Sequence, residues 1–294
     1  MKNDVIRIKA RAKVNLALHV TGQRLDGLHL LDSLVAFPDY GDDLFFERAD
    51  EISLCISGPY GSQLSNDTKP FLNSIIRAAR LLNDDSKGVK ITLIKNLPLA
   101  SGIGGGSSNA ASTLKVLSRL WQKKMPRQDD VLSLGSDVPV CLSNRLQRMQ
   151  GIGEKLTTLT SPIKMWAVLA NPGIEIATKK IFGLLKNKEN NELEPFFDLT
   201  NQETFFRYLC RQRNDLEGVV CDLFPEVKEM LSVIKSTNNC QVCRMSGSGA
   251  TCFGLYIDQE CAIKAAKTLK ESVPKAWVVS APLFSIDSGN NVIG

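Results

Sequence analysis

The sequence predicts an α+β fold, and three features carry that reading. Apolar and polar residues alternate with period 2 over residues 6–18, the mark of a strand with one face buried. Apolar residues recur at three- and four-residue steps at Ala110, Leu114, Leu117 and Trp121, the mark of a helix. Strand-like and helix-like segments interleave in both halves of the 294-residue chain, so neither an all-helix nor an all-sheet protein fits.

Each element has its own local reason. In the first strand Ile6, Ile8, Ala10, Ala12, Val14, Leu16 and Leu18 alternate with Arg7, Lys9, Arg11, Lys13, Asn15 and His19, with Ala17 interrupting the polar side. Lys13 and Asn15 are thereby expected on one face, about 7 Å apart. Asp26-Gly27 marks a turn before Leu28-His29. Ile75, Ile76, Ala79 and Leu82 predict a helix over residues 73–82, and a strand follows over 89–94. The next helix is expected to start near Ser107, and residues 123–130 read as a polar connector. Residues 165–170 form a buried strand stopped by Pro172-Gly173. Helices are expected over 178–185, 225–236 and 260–272, and strands over 242–245, 252–257 and 277–280. Residues 186–194, charged and Asn-rich, read as a mobile surface loop. A soft boundary near residue 160 divides the chain into domains 1–160 and 161–294.

Composition narrows the function. Hydrophobic residues make up 43% and charged residues 23%, which excludes disordered, collagen-like and coiled-coil proteins. The 36 basic and 31 acidic residues leave a net charge of +5, dispersed along the chain. That excess does not demand nucleic acid and suits a polyanionic small molecule. No apolar run approaches the roughly 20 residues of a membrane helix, and Met1-Lys2-Asn3-Asp4 leads into no signal peptide. A cytoplasmic location is expected. The eight cysteines then read as reduced, with Cys55, Cys141 and Cys252 in apolar, core-like settings. Cys240-Gln241-Val242-Cys243 lacks the second ligand pair that zinc requires.

The most informative stretch is Leu97-Pro98-Leu99-Ala100-Ser101-Gly102-Ile103-Gly104-Gly105-Gly106-Ser107-Ser108. Its four glycines let backbone N–H groups face inward, and a helix opens directly behind them. Helix dipole and free N–H groups together make an anion cradle suited to a polyphosphate. A plain flexible turn is the alternative. Neither Walker A nor the dinucleotide fingerprint is satisfied: no Lys follows the glycines, and Ser107 stands where a third glycine belongs. Asp137, in Leu134-Gly135-Ser136-Asp137-Val138-Pro139, sits at a constrained turn and is either held toward a cleft or acts as a helix cap. Arg244-Met245-Ser246-Gly247-Ser248-Gly249-Ala250-Thr251 reads equally as a close-approach loop or a hairpin.

Taken in order, these elements resemble one family. Arg11-Ala12-Lys13-Val14-Asn15-Leu16 with Arg24-Leu25-Asp26-Gly27-Leu28-His29, the glycine loop continuing into Asn109-Ala110-Ala111, the Asp137 segment and the residue 245–250 loop resemble the signatures of the 4-diphosphocytidyl-2-C-methyl-D-erythritol kinases. These belong to the galactokinase, homoserine kinase, mevalonate kinase and phosphomevalonate kinase (GHMP) superfamily. The resemblance implies the GHMP kinase fold. In it a ribosomal-protein-S5-like N-terminal domain meets a ferredoxin-like α/β C-terminal domain, with the site in the cleft between them. It implies transfer of the ATP γ-phosphate to the 2-hydroxyl of the cytidine diphosphate conjugate, in the non-mevalonate route to isoprenoids. Mg²⁺ would bridge the phosphates, with its protein ligands left open, as is the oligomeric state.

The resemblance also implies roles. Asp137 is the general base. Lys13 either keeps it ionised and orients the hydroxyl, or neutralises charge on the transferred phosphoryl group. Asn73, Pro98, Gly102, Ile103, Gly104, Gly105, Gly106, Ser107 and Ser108 serve ATP. Asn15, Leu28, His29, Thr178 and Phe182 serve the cytidine conjugate, with Phe182 stacking on cytosine or simply filling a core. Leu28 departs from the Tyr or Phe usual in the family, so a weaker cytosine clamp is expected. Arg11 replaces a common Pro, a change of local geometry rather than chemistry. The rival readings are a homoserine- or mevalonate-type kinase and a catalytically inactive nucleotide-binding relative.

Overall fold

The computed structural model describes residues 5–65, 73–83, 87–159, 163–195 and 201–283. The N-terminal tetrapeptide Met1 to Asp4 and the boundary at residue 160 lie outside them. The first half runs β1 (Ile6–Arg11), β2 (Val14–Gln23), β3 (His29–Ala36), β4 (Gly41–Ala49), β5 (Ile52–Ser57), α1 (Gly61–Ser65), α2 (Ser74–Leu82), β6 (Gly88–Ile94), α3 (Gly105–Leu120), α4 (Gln128–Leu134), α5 (Val138–Cys141), β7 (Gln147–Gly151) and β8 (Lys155–Thr158). The second runs β9 (Trp166–Asn171), α6 (Thr178–Leu184), α7 (Gln202–Arg211), α8 (Glu217–Leu223), α9 (Pro225–Ser236), β10 (Val242–Met245), β11 (Cys252–Tyr256), α10 (Gln259–Ser272) and β12 (Trp277–Pro282). The α+β class expected from the sequence is the one observed.

Three four-stranded sheets result, ordered β1-β4-β6-β5, β2-β3-β7-β8 and β10-β11-β9-β12. Pairing is antiparallel except between β5 and β6. The first core packs Phe46, Ile91 and Leu93 against Ile75, Leu114 and Leu117 of α2 and α3. The second joins Leu16 and Leu34 to Leu169 and Phe253 across the sheets. The third packs Met230, Ile234 and Leu269 of α9 and α10 against Tyr256. Each fully buried Leu, Ile or Phe contributes about 1.5–3 kcal/mol relative to exposure. Local signals agree with this packing. Asn73 caps α2 by accepting from the Ile75 amide at 2.9 Å, and Asp258 caps α10 by accepting from the Cys261 amide at 2.8 Å.

The structure corrects four expectations. The long first strand is two strands, because the chain leaves β1 after Arg11 and re-enters a different sheet at Val14. At the break the Ala12 amide donates to the Tyr40 carbonyl and the Lys13 amide to the Ile103 carbonyl, so the loop takes the hydrogen bond a neighbouring strand would have taken. Neither does β2 keep a solvated polar face. Asn15 is 0% and His19 1% exposed, because core lies on both sides of the strand. Ala17, which broke the alternation, follows a register shift against β3 between Asn15 and Ala17, a bulge at Leu16. Second, α3 starts at Gly105 rather than near Ser107. Third, Cys55 is exposed: β5 is an edge strand, and Cys55 occupies its outward face, whereas Cys141 and Cys252 are buried as expected. Fourth, residues 186–194 are anchored. The Asn190 amide donates to the Val20 carbonyl at 3.1 Å, and the Leu193 amide donates to Asp32 at 2.9 Å.

Candidate active site

The glycine loop closes one side of a cavity of about 350 Å³ lined by Lys13, Asn15, Pro98, Gly102, Gly104, Gly105, Gly106, Ser107, Asp137, Thr178 and Phe182, among others. Two positions need glycine. Gly102 has φ +74° and a side-chain carbon there would lie 2.5 Å from the Ser246 carbonyl oxygen. Gly104 adopts φ +63° as the N-cap of α3 and packs so closely that such a carbon would stand 3.0 Å from Lys13 Cβ. No side chain caps α3, so its first N–H groups, from Gly105 onward, remain available to an anion at the positive end of a 16-residue helix. Lys95 adds a cation, its Nζ 3.3 Å from where a Gly105 side chain would begin.

The loop is braced from two sides. Below it, Asp42 accepts from Lys95 Nζ at 2.7 Å, from the Asn96 and Leu97 amides at 2.8 Å each, and from Asn109 Nδ2 at 3.0 Å. Burial pushes the Lys95 ammonium below its ordinary range despite the Asp42 charge beside it. From the other side, the β10–β11 hairpin reaches across: Ser246 Oγ donates to the Gly102 carbonyl at 3.0 Å, and the Thr251 amide donates to Ser101 at 3.1 Å. Asn214 Nδ2 holds that hairpin through the carbonyls of Met245 at 2.9 Å and Gly247 at 2.8 Å.

Asp137 precedes α5, whose residues Val138 to Cys141 are buried and fix the turn. Its carboxylate does not cap the helix. It accepts instead from Lys13 Nζ at 2.7 Å through Oδ2, with the Lys13 side chain 5% and the Asp137 side chain 30% exposed. Two residues 124 apart in sequence are thus an ion pair at the cleft, next to the glycine loop. On the opposite wall the Asn15 amide N–H donates to Ser246 Oγ at 3.1 Å, and Thr178 Oγ1 lies 2.8 Å from Ser248 Oγ. The His29 ring stacks on Phe182 at 4.8 Å between centroids, tilted 35°. Burial, and secondarily the Lys188 charge, pushes the His29 imidazole below its usual value.

Not every residue expected at the site faces the cavity. Ile103 is fully buried in the core, and the Ser108 hydroxyl donates to the Arg11 carbonyl at 2.6 Å. Their side chains build the loop rather than line it. Asn73 is occupied as the α2 cap, although Ser74 beside it stands 3.6 Å from a side-chain position at Gly106. Leu28 is 48% exposed on its turn and lines no part of the cavity, and His29 reaches the site only through Phe182. Sequence reasoning missed Lys95, Asp42 and the individual role of Ser246. None carries a local signal, because each acts through a partner distant in sequence. A larger cavity of about 650 Å³, lined by Lys115, Arg119, Pro139 and Glu154, lies behind α5 and contains neither the loop nor Asp137.

Comparison with known proteins gives the family. Residues 73–145 match the GHMP kinases N terminal domain and residues 194–275 the GHMP kinases C terminal model. The chain is 47% identical over 276 residues to the 4-diphosphocytidyl-2-C-methyl-D-erythritol kinase of Cereibacter sphaeroides, covering 92% of this chain and 97% of that one. The same-named protein of Paramagnetospirillum magneticum is 42% identical over 284 residues, covering 95% and 98%. A crystal structure of 4-(cytidine 5'-diphospho)-2C-methyl-D-erythritol kinase superposes with a TM-score of 0.76 at 32% identity, covering 95% of this chain and all of the other.

Proposed function

The chain belongs to the 4-diphosphocytidyl-2-C-methyl-D-erythritol kinase family of GHMP kinases, and from that premise we propose how its residues divide the work of phosphoryl transfer. It is an ATP-dependent phosphotransferase that phosphorylates the 2-hydroxyl of 4-diphosphocytidyl-2-C-methyl-D-erythritol, in the non-mevalonate route to isoprenoids. Phosphoryl transfer is chiefly positioning and charge stabilisation. The Gly102–Gly106 backbone and the start of α3 hold the β- and γ-phosphates. Asp137 is the general base: Lys13 occupies Oδ2 and leaves Oδ1 to accept the proton of the reacting hydroxyl. Lys13, fixed at 2.7 Å from Asp137, neutralises charge gathering on the transferred phosphoryl group. The Lys13–Asp137 pair beside an uncapped glycine loop is the observation that supports this reading most.

The remaining assignments follow the walls of the cleft. Residues 1–160 supply the phosphate loop, Lys13 and Asp137, while residues 161–294 supply Thr178 and Phe182 on the side of the cytidine conjugate. Asn15 and His29 complete that side. Among the described residues no cluster of three or more His, Cys, Asp or Glu side chains is arranged to hold a metal. Mg²⁺ would bind chiefly through the substrate phosphates, with one or two protein oxygens. Ser107, on the cavity wall, is the protein oxygen at hand, and the ion would supply charge neutralisation of the triphosphate. No described helix is long and apolar enough to cross a membrane. A cytoplasmic enzyme acting on small molecules, without nucleic acid, completes the proposal. The test is ADP release with the cytidine alcohol beside homoserine and mevalonate. Only the cytidine alcohol is expected to support turnover; comparable kcat/KM with either other alcohol would overturn the assignment.

A further inference from the structure

The donor and acceptor accounting around Asn15 determines which end of its amide meets the substrate. Ser33, on β3 and 0% exposed, lies 2.6 Å from the Ala17 carbonyl oxygen through its Oγ. A hydroxyl has one proton, and two oxygens this close require it between them, so the Ser33 proton is committed to Ala17. The amide atom of Asn15 lying 2.8 Å from Ser33 Oγ must then be a donor, which makes it Nδ2. The other end, Oδ1, is buried and has no hydrogen-bond partner among the described residues. Asn15 and Gly247 both line the cleft, and Oδ1 lies 3.3 Å from where a Gly247 side chain would begin. Gly247 thus puts no side chain beside Oδ1.

We infer that Ser33 is a positioning residue that locks the Asn15 amide with Oδ1 toward the cleft. The site thereby selects a substrate hydroxyl that donates to it. The reacting 2-hydroxyl gives its proton to Asp137, so the group that Asn15 reads is a different hydroxyl of the erythritol chain, at carbon 1 or carbon 3. A buried acceptor left without a donor is costly, so the contact rewards a polyol over an alcohol lacking the second hydroxyl. Ser33 never touches the ligand; it sets the polarity of a residue that does. This inference rests on the proposed cytidine alcohol as substrate.

Two measurements test it. With wild-type protein and a non-hydrolysable ATP analogue, the parent alcohol is compared with its deoxy and fluoro analogues at carbon 1 and carbon 3. At one of these positions, loss of the hydroxyl is expected to weaken binding about tenfold. The fluoro analogue, which accepts but cannot donate, is expected to bind as poorly as the deoxy one. Fluorine restoring the affinity, or no loss at either position, would overturn the inference. In Ser33→Ala the amide is free to turn, so the gap between parent and deoxy ligand is expected to shrink to about twofold, with the KM for ATP within about twofold of wild type. An unchanged gap, or an equal rise in both KM values, would mean a merely structural role. The wild-type comparison decides the case if Ser33→Ala does not fold. Absence of any turnover with the parent alcohol would instead count against the proposed function.

Discussion

Replacing Lys95 by methionine is expected to cost about 3–5 kcal/mol of folding stability, the range for stranding one member of a buried ion pair. The geometry sets that size. The Lys95 and Asp42 side chains are 3% and 0% exposed, and the ammonium lies 2.7 Å from Oδ2. Water therefore cannot screen the charge left on Asp42. Methionine fills a similar volume and leaves the carboxylate with the Asn96 and Leu97 amides and Asn109 Nδ2, three neutral donors without a countercharge. Those donors soften the penalty, since hydrogen bonds to a charged group contribute about 1.5–3 kcal/mol each. The double variant Asp42→Asn/Lys95→Met removes both charges and keeps an oxygen for the backbone amides, so it is expected to recover about half of the loss. Urea unfolding followed by circular dichroism gives both numbers. A loss under about 1 kcal/mol for Lys95→Met, or a double variant worse than the single one, would refute the buried-pair argument.

Three further outcomes follow from other parts of the molecule. Arg244, 7% exposed, donates to the carbonyls of Leu16 at 2.5 Å, Leu209 at 3.0 Å and Gln212 at 2.7 Å, so Arg244→Met is expected to lose about 3 kcal/mol or more, read as a fall in the thermal midpoint. His19 is held neutral below its usual 6.5, first by burial and then by the Arg213 charge. The unfolded chain therefore takes up a proton first as pH falls, and stability present above 6.5 is eroded below it. Thermal scans from pH 7.5 to about 5 are expected to show this slope flattened in His19→Asn. Leu28 is exposed and lines no part of the cavity, so any gain from a ring there depends on a tyrosine reaching the cytosine from one residue before His29: Leu28→Tyr is expected to lower the KM for the cytidine substrate about two- to tenfold, the equivalent of 0.5–1.5 kcal/mol of aromatic contact, and an unchanged or higher KM would remove residue 28 from the cytosine site.

Legibility in the sequence followed the range of the interaction. The glycine loop stood out because the role proposed for it lies in the backbone of consecutive residues, and the resemblance to a kinase family extended that reading to Asp137 and Lys13. The exact helix start was not readable, since Gly105 and Gly106 are poor helix formers and enter α3 only because the brace from Asp42 and Ser246 holds the loop around them. Alternation over residues 6–18 carried straight through the break at Ala12 and Lys13, because a change of sheet leaves the period-2 pattern intact. Likewise nothing local distinguishes Cys55, on an exposed edge strand, from Cys252, in the core. His29 meets Phe182 across 153 positions, a contact that nothing local to either residue announces. The Asn15 amide is polar in sequence and fully buried in space, and its partner Ser33 is an unremarkable strand serine until the two are brought together.

The central claim is that Asp137 takes the proton of the accepting alcohol while Lys13 stands beside it. Single-turnover transfer of labelled γ-phosphate by Asp137→Asn addresses it most directly, because binding and product release do not enter the rate. The variant keeps the shape of the side chain and loses the base. A fall of about 10²- to 10⁴-fold in the transfer rate, with affinity for an ATP analogue held near wild type, is the predicted result. Transfer at a rate close to wild type would contradict it.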